Sequence, residues 1–197
     1  AERRAVPVTV TGRSGPAMFE ATPGETLLEA ALRQGADVPY SCGSGSCGLC
    51  KARVTSGSVE KLWPEAPGYG RKPKPDEALL CQCAAAEAGP GGRLELTLAG
   101  ASGALSPAET RPDRFAARIL RADPIGEGLL EIEFALDRPM RHAAGQFGLF
   151  YFPGIPGGRA FSFAAPPVAG GSDRVLLVVK RKPGGPATDR LFAPDAA

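Results

Sequence analysis

This chain of 197 residues has little net charge and no long apolar run. Its 23 lysines and arginines nearly balance 21 aspartates and glutamates, which does not favour binding to nucleic acid or to an anionic membrane. No stretch of about 18 apolar residues could cross a bilayer, and the first residues, AERRAVPVTV, lack the apolar core of a signal peptide. We therefore expect a soluble cytoplasmic protein that binds neither nucleic acid nor membranes.

Histidine and cysteine are also scarce. The only histidine, His142, lies in the polar segment RPMRHAAG, and we assign it no role because a lone loop histidine is usually solvated. Five cysteines are too few for a disulfide scaffold, and an odd number cannot all pair within the chain. Three of them lie within nine residues of the segment YSCGSGSCGLC, residues 40–50. Clustered cysteines in a reducing compartment predict metal or redox chemistry, and no catalytic residue is predicted.

Hydrophobic patterning predicts a first domain at residues 1–98. Strands are expected at AVPVTV and AMFEA, which flank the turn-rich TGRSGP, and a strand and turn at KARVTSGSVE. A further strand is expected at RLELTL, where Leu94, Leu96 and Leu98 alternate with other residues. A helix of about ten residues is expected between the second and third of these, with Thr22, Pro23 and Glu25 as a capping box and Gly35 as its end. These elements predict a small mixed sheet packed on one helix. Residues 99–113, rich in small residues and proline, are predicted to be a linker.

Residues 114–197 alternate short apolar segments with turns. Strands are predicted at RFAARILR, GLLEIEFAL, GQFGLFYF, RAFSFA and VLLVVKRK, and a helix at ATDRLF. Strands without intervening helices predict an antiparallel sandwich or barrel.

The cysteine-rich segment has the spacing of an iron–sulfur ligand set. Cys42, Cys47 and Cys50 follow C-x4-C-x2-C, and 30 residues separate Cys50 from Cys81. This is the plant-type 2Fe-2S pattern, in which four thiolates hold the cluster. A four-cysteine zinc site and free thiols are the alternatives, although structural zinc usually takes two C-x2-4-C knuckles. The loop glycines would let backbone N–H groups approach the sulfurs; they are Gly43, Gly45 and Gly48.

The segment LLCQC offers two candidates for the fourth ligand, Cys81 and Cys83. In a strand, residues i and i+2 point to the same face, so the pattern does not choose between them. Cys83 is equally suited to be a buried structural thiol.

Residues 5–98 resemble a plant-type ferredoxin domain, on the segment TPGETLLEAALRQGADVPYSCGSGSCGLC and on LLCQC. In ferredoxin domains fused to oxygenase reductases, the first of two such cysteines binds iron, so the resemblance implies that Cys81 is the fourth ligand. Gly43 departs from the family, which more often has arginine after the first ligand. The resemblance implies a β-grasp fold.

Two segments of the second domain carry groups that a flavin dinucleotide needs. They are RAFS, residues 159–162, and KPGGPATDRLF, residues 182–192. A flavin requires an aromatic surface, a polar group near its reactive nitrogen, and cations or helix-start amides for its pyrophosphate. Taken separately, each segment also fits a core strand or an ordinary turn.

Taken in order, these segments resemble the FAD-binding barrel of the ferredoxin reductase family over residues 114–192. Its R-x-Y-S signature matches Arg159, Phe161 and Ser162, with phenylalanine replacing tyrosine, and AGQF matches the preceding strand. The segment VKRKPGGPAT is similar to V-x-x-x-P-G-G-x-x-S, with Thr188 replacing serine. The resemblance implies that Arg159 and Thr188 contact the pyrophosphate, that Phe161 packs on the flavin, and that Ser162 lies near its reactive edge. It also implies cofactor contacts at Val179, Lys180, Gly184 and Gly185.

Together the resemblances imply the reductase component of a multicomponent bacterial oxygenase. The expected fold class is α+β, a β-grasp ferredoxin domain followed by an antiparallel β-barrel that binds FAD. Such an oxidoreductase takes electrons from NADH or NADPH through FAD to a 2Fe-2S cluster and on to an oxygenase or another acceptor protein. Because these residues stop just past the pyrophosphate segment, we expect a barrel incomplete at its C-terminus and a nicotinamide domain that is not present here. The alternative is a one-electron carrier whose second domain is a flavin-free docking module.

Overall fold

The computed structural model describes residues 4–13, 15–36, 38–72, 74–98 and 111–193. It divides the chain into two compact units, Ala1–Pro112 and Asp113–Ala197. Most of the predicted linker, residues 99–110, lies outside the described residues. Among the described residues, no helix has the length and apolar character needed to cross a membrane.

The described residues of the first unit form a mixed sheet with one α-helix. Its elements are β1 (Val6–Gly12), β2 (Gly15–Ala21), α1 (Leu27–Arg33), β3 (Lys51–Ser56), β4 (Ser58–Lys61), β5 (Glu77–Leu79), β6 (Cys83–Glu87) and β7 (Leu94–Leu98). The main sheet has the order β2-β1-β7-β3-β5. Only its β1–β7 pairing is parallel, and β4 pairs with β6 in a separate antiparallel sheet. The predicted mixed sheet and single helix, and with them the β-grasp fold, are confirmed.

Alternating side chains of the central strands build the core of this unit. Val8 and Val10 of β1 lie opposite Leu94 and Leu96 of β7, and each is at most 1% exposed. Leu27 of α1, fully buried, belongs to the same cluster. Full burial of such an aliphatic side chain contributes about 1.5–3 kcal/mol. Because Cys50 and Cys81 also belong to this cluster, the core fixes two of the candidate ligands.

Helix α1 begins four residues later than the sequence predicted. Its N-cap is Thr26, whose hydroxyl accepts the Glu29 N–H at 3.2 Å, while Glu29 accepts the Thr26 N–H at 2.7 Å. Thr22 and Glu25 form a separate turn, in which the Thr22 N–H donates to Glu25 Oε1 at 2.6 Å. The predicted start is wrong because Gly24 has φ of +85°, and a left-handed residue cannot continue an α-helix.

The buried carboxylate of Glu25 supports the start of this helix and makes stability depend on pH. It accepts hydrogen bonds from Arg33 Nη2 at 2.9 Å and from the Thr22 hydroxyl at 2.7 Å. Burial raises the pKa of Glu25, but the bonds from Arg33 and Thr22 outweigh it, so the pKa lies below its ordinary value. The stabilisation is therefore fully present above the unfolded-state pKa of about 4.3 and is lost as the pH falls through the folded-state pKa.

We expect Glu25→Gln to lower the free energy of unfolding by about 1 kcal/mol at neutral pH. Since the carboxylate is protonated in strong acid, the difference from the parent chain should shrink towards zero there. Urea unfolding followed by circular dichroism at both pH values measures this, with Glu20→Gln, an exposed carboxylate on β2, as the control. A deficit of the same size in acid would contradict the assignment to the Glu25 charge.

The second unit is antiparallel throughout its described strands. Its elements are β8 (Ala117–Gly126), β9 (Leu129–Met140), β10 (Phe147–Phe150), β11 (Arg159–Ser162), β12 (Ser172–Lys180) and α2 (Pro186–Leu191). The order β12-β9-β8 forms one sheet and β10-β11 another. All five predicted strands and the predicted helix are present, which confirms the antiparallel β architecture.

Strand alternation separates an apolar face from a charged face in the three-stranded sheet. The buried residues of β9 and β12 form the core with Leu191 of α2; they are Leu130, Ile132, Phe134, Val175, Leu177 and Val179. On intervening positions, Arg121 makes ion pairs with Glu131 at 2.8 Å and with Glu133 at 3.1 Å. The core face and the polar face follow directly from the period of two along each strand.

Candidate functional site

The cysteine loop, residues 40–50, ends at β3 and is shaped by left-handed glycines. Gly43, Gly45 and Gly48 have φ of +60°, +80° and +74°, which only glycine adopts readily. Cys50 is 3% exposed, whereas Cys47 is exposed and Cys42 is half-buried. The loop thus runs from the surface of the unit into its core.

Backbone N–H groups of this loop converge on the Cys42 sulfur. Ser44, Ser46 and Cys47 each donate an N–H to Cys42 Sγ at 3.4 Å. Burial raises the pKa of Cys42, but these donors together outweigh it and lower the pKa to about 6. A further N–H, from Leu49, lies 3.4 Å from Cys47 Sγ. The loop therefore stabilises negative charge on sulfur, as the placement of its glycines predicted.

Cys50 and Cys81 face each other across the core, with their Sγ atoms 3.3 Å apart. The Leu80 N–H donates to the Cys50 carbonyl oxygen at 3.1 Å and holds the two backbones in register. Contact with Cys81 lowers the pKa of Cys50, while contact with Cys50 and burial raise the pKa of Cys81. Residues 31 positions apart in the chain thus form a thiol pair.

Cys81 and Cys83 do not share a face, contrary to the reading of LLCQC as a strand. Residues Leu80–Gln82 form a 3-10 helix, and β6 begins only at Cys83. Cys83 Sγ lies 3.3 Å from the Tyr69 hydroxyl, which also accepts the Leu79 N–H at 3.3 Å. Burial raises the pKa of both Cys83 and Tyr69. One cysteine therefore faces Cys50, and the other faces a tyrosine.

A second segment packs closely against the loop glycines. The Gly68 N–H donates to the Gly45 carbonyl oxygen at 2.7 Å. A Cβ on Gly48 would lie 2.7 Å from the Gly68 carbonyl oxygen, and one on Gly45 would lie 2.9 Å from Gln82 Cγ. The sequence patterns did not identify Gly68 or Gln82 as neighbours of the cysteine loop. A polar residue between the two cysteines of LLCQC was the available signal for Gln82.

Among the described residues, no three histidine, cysteine, aspartate or glutamate side chains converge on a single metal ion. A 2Fe-2S cluster does not require such a group, because two thiolates bind each of its two irons and the four sulfurs need not meet at one point.

The RAFS residues lie on β11, where alternation separates them. Arg159 Nη1 donates to the carbonyl oxygens of Pro156 at 2.9 Å and of Gly157 at 3.3 Å, and burial lowers the pKa of Arg159. Phe161 packs edge-on against Phe150 with ring centroids 5.7 Å apart. Ser162 is exposed, on the strand face opposite Phe161.

The other predicted flavin residues lie at the end of β12 and before α2. Val179 is 2% exposed, so its side chain belongs to the core, whereas Lys180 is exposed. Gly184 has φ of +72°, and the Thr188 hydroxyl lies 2.9 Å from the Lys182 carbonyl oxygen and 3.0 Å from that of Gly185. These contacts give the PGG segment a defined turn that is closed by the Thr188 hydroxyl.

His142 packs locally, with its ring centroid 4.7 Å from that of Phe163 and Nε2 3.4 Å from the Ala165 carbonyl oxygen. These contacts are within its own unit.

Residues 8–86 match the family of 2Fe-2S iron-sulfur cluster binding domains. The chain is 37% identical over 176 residues to the ferredoxin–NAD(+) reductase component of the alkene monooxygenase system of Xanthobacter autotrophicus. That match covers 88% of this chain and 50% of the relative. The chain thus spans about half the length of the curated relative.

Solved structures give the same correspondence. The ferredoxin reductase of carbazole 1,9a-dioxygenase superposes with a TM-score of 0.74 at 26% identity, over 99% of this chain and 55% of that protein. A structure of the same reductase described as its FAD apo form gives a TM-score of 0.70 at 27% identity, over 93% and 54% respectively. The similarity extends through both described units.

Proposed function

We propose that this chain belongs to the family of oxygenase reductase components that carry a 2Fe-2S domain, and that it is the electron-transfer part of such a reductase. It would act in an oxidoreductase that takes electrons from NADH or NADPH and delivers them to an oxygenase or another acceptor protein. The observation that carries the proposal is the pairing of a thiolate-stabilising cysteine loop with Cys81 in one unit, followed by a unit that resembles an FAD domain. NADH or NADPH binding is assigned to a domain other than the two described units.

The donor set of the first unit fits a 2Fe-2S cluster. With metal–sulfur bonds of about 2.3 Å, two thiolates on one tetrahedral metal lie roughly 3.8 Å apart. The Cys50–Cys81 separation of 3.3 Å is close to this value, so this pair is assigned to one iron and Cys42 and Cys47 to the other. The N–H donors on Cys42 would compensate thiolate charge in the loaded site.

The second unit carries the residues assigned to FAD. Arg159 and Thr188 would bind the pyrophosphate, and Phe161 would cover the flavin. Ser162, which is exposed, would lie near the reactive edge of the flavin. Lys180, Gly184, Gly185 and the backbone of Val179 complete the assigned contacts. When bound, the flavin accepts two electrons and releases them singly, whereas the cluster carries one at a time.

The proposed location is the cytoplasm. All five cysteines are free thiols, which is typical of a reducing compartment. A cysteine loop that must present thiolates to iron also requires that its sulfurs stay unpaired.

Cofactor content tests the proposal directly. The purified chain should contain two irons and two acid-labile sulfides per chain, as expected for one 2Fe-2S cluster. Acid treatment should also release FAD. Iron and sulfide without any FAD, even after incubation with FAD, would favour the flavin-free electron carrier. Zinc in place of iron would overturn the electron-transfer assignment.

Arg159→Ala should weaken FAD binding about tenfold or more, because charge-assisted bonds to a phosphate contribute about 1.5–3 kcal/mol. Fluorescence titration of flavin-free chain with FAD measures the affinity. The matched control is Arg190→Ala, which removes another arginine-to-carbonyl bond, from Arg190 Nη1 to Pro153 at 3.2 Å. If the two variants bound FAD with equal affinity, Arg159 would not be part of the assigned FAD site.

A further inference from the structure

Gln82 is a fully buried amide whose hydrogen-bonding groups are unsatisfied. Its side chain is 0% exposed, and neither Nε2 nor Oε1 has a hydrogen-bond partner among the described residues. An unpaired buried amide costs free energy, and the large majority of buried polar groups in proteins are therefore paired. The side chain therefore needs a partner that the described residues do not supply.

The surroundings of Gln82 place its amide against the cysteine loop. The preceding residue is Cys81, and the Gln82 carbonyl oxygen accepts the Leu62 N–H at 2.9 Å, which anchors the backbone. A Cβ built on Gly45 would lie 2.9 Å from Gln82 Cγ and 3.2 Å from Cδ. The absence of a side chain at position 45 thus creates the space that the glutamine stem occupies, between the loop and the segment of the fourth ligand.

We propose that the Gln82 side chain donates an N–H hydrogen bond to a sulfur of the bound 2Fe-2S cluster. This inference rests on the proposed function, which assigns the cluster to Cys42, Cys47, Cys50 and Cys81. Backbone N–H groups already serve the Cys42 and Cys47 sulfurs, whereas Gln82 contributes the unpaired side-chain donor. Gln82 would accordingly contact the cofactor through a hydrogen bond without being one of its ligands.

We expect this hydrogen bond to make the reduction potential of the cluster more positive than it would be without the Gln82 donor. Reduction adds negative charge to the cluster, and a hydrogen bond to sulfur stabilises that charge. Removing the donor should therefore disfavour reduction. Because the substitution breaks no side-chain hydrogen bond to a described residue, it should leave the cluster-free chain at least as stable as before.

The test is the reduction potential of the loaded chain with Gln82→Leu and with Gln82→Met, which is closer in shape to glutamine. We expect both substitutions to lower the reduction potential by about 59 mV, which corresponds to a tenfold change in the equilibrium constant of a one-electron reduction. Cys83→Ser, a change at the next buried residue, is the control and should not shift it. An unchanged potential in the glutamine variants would overturn the inference, whereas a parent chain without any cluster would overturn the proposed function instead.

A measurement on the parent chain covers the case in which the variants fail to load. The sequence has three glutamines, Gln34, Gln82 and Gln146, so cell-free synthesis with side-chain ¹⁵N-glutamine labels few sites. Electron–nuclear hyperfine spectroscopy of the reduced cluster should detect one ¹⁵N coupling from an amide. Its absence would overturn the inference, and its presence supports it independently of how the variants fold.

Discussion

Cys81→Ser should abolish the visible absorption of the iron–sulfur cluster, whereas Cys83→Ser should retain it. The two residues differ in what they face, because Cys81 Sγ lies 3.3 Å from Cys50 Sγ and Cys83 Sγ lies 3.3 Å from the Tyr69 hydroxyl. A cluster needs four thiolates, so removing Cys81 leaves the iron assigned to Cys50 with one thiolate too few. Visible absorption with iron and sulfide per chain measures the outcome.

The two variants control for each other. Both replace a buried cysteine, at 3% and 0% exposure, so both introduce a hydroxyl into the same core. Circular dichroism of the cluster-free variants shows whether this affects folding. If Cys83→Ser lost the cluster and Cys81→Ser kept it, the ligand assignment would be exchanged, and equal retention by both would contradict a four-cysteine site that includes either.

Gly48→Ala should prevent most of the chain from holding a cluster, whereas Gly92→Ala should not. Both glycines have positive φ, +74° and +72°, so alanine costs about 1–2 kcal/mol of backbone strain at either position. At Gly48 the new Cβ would also lie 2.7 Å from the Gly68 carbonyl oxygen, whereas at Gly92 nothing lies within 4 Å. Backbone atoms cannot move aside as a flexible side chain can, so the loop itself must shift.

Iron content per folded chain measures the effect, and we expect it to fall several-fold for Gly48→Ala alone. The melting temperature of each cluster-free variant gives the common cost of the left-handed conformation. Similar iron content in the two variants would mean that close packing of residues 68 and 48 does not shape the ligand loop.

Sequence patterns predicted the strands well where burial follows a strict period. RLELTL became β7, with Leu94, Leu96 and Leu98 buried and the residues between them exposed, because alternation is a local property of an extended chain. The patterns failed at two short segments. Because Gly24 has positive φ, α1 begins later than predicted. Because Leu80–Gln82 form a 3-10 helix, the side chains of Cys81 and Cys83 do not share a face as they would in a strand.

The sequence by itself determined the kind of chemistry, since the spacing of Cys42, Cys47, Cys50 and Cys81 and the intervening glycines are properties of a short chain segment and its ligand types. Only the tertiary structure decided which distant residues meet there. The Cys50–Cys81 contact, the Tyr69–Cys83 contact and the burial of the Gln82 amide join segments that are far apart in the chain. Such contacts depend on how the helix and sheet pack around one core, and no local pattern specifies that packing.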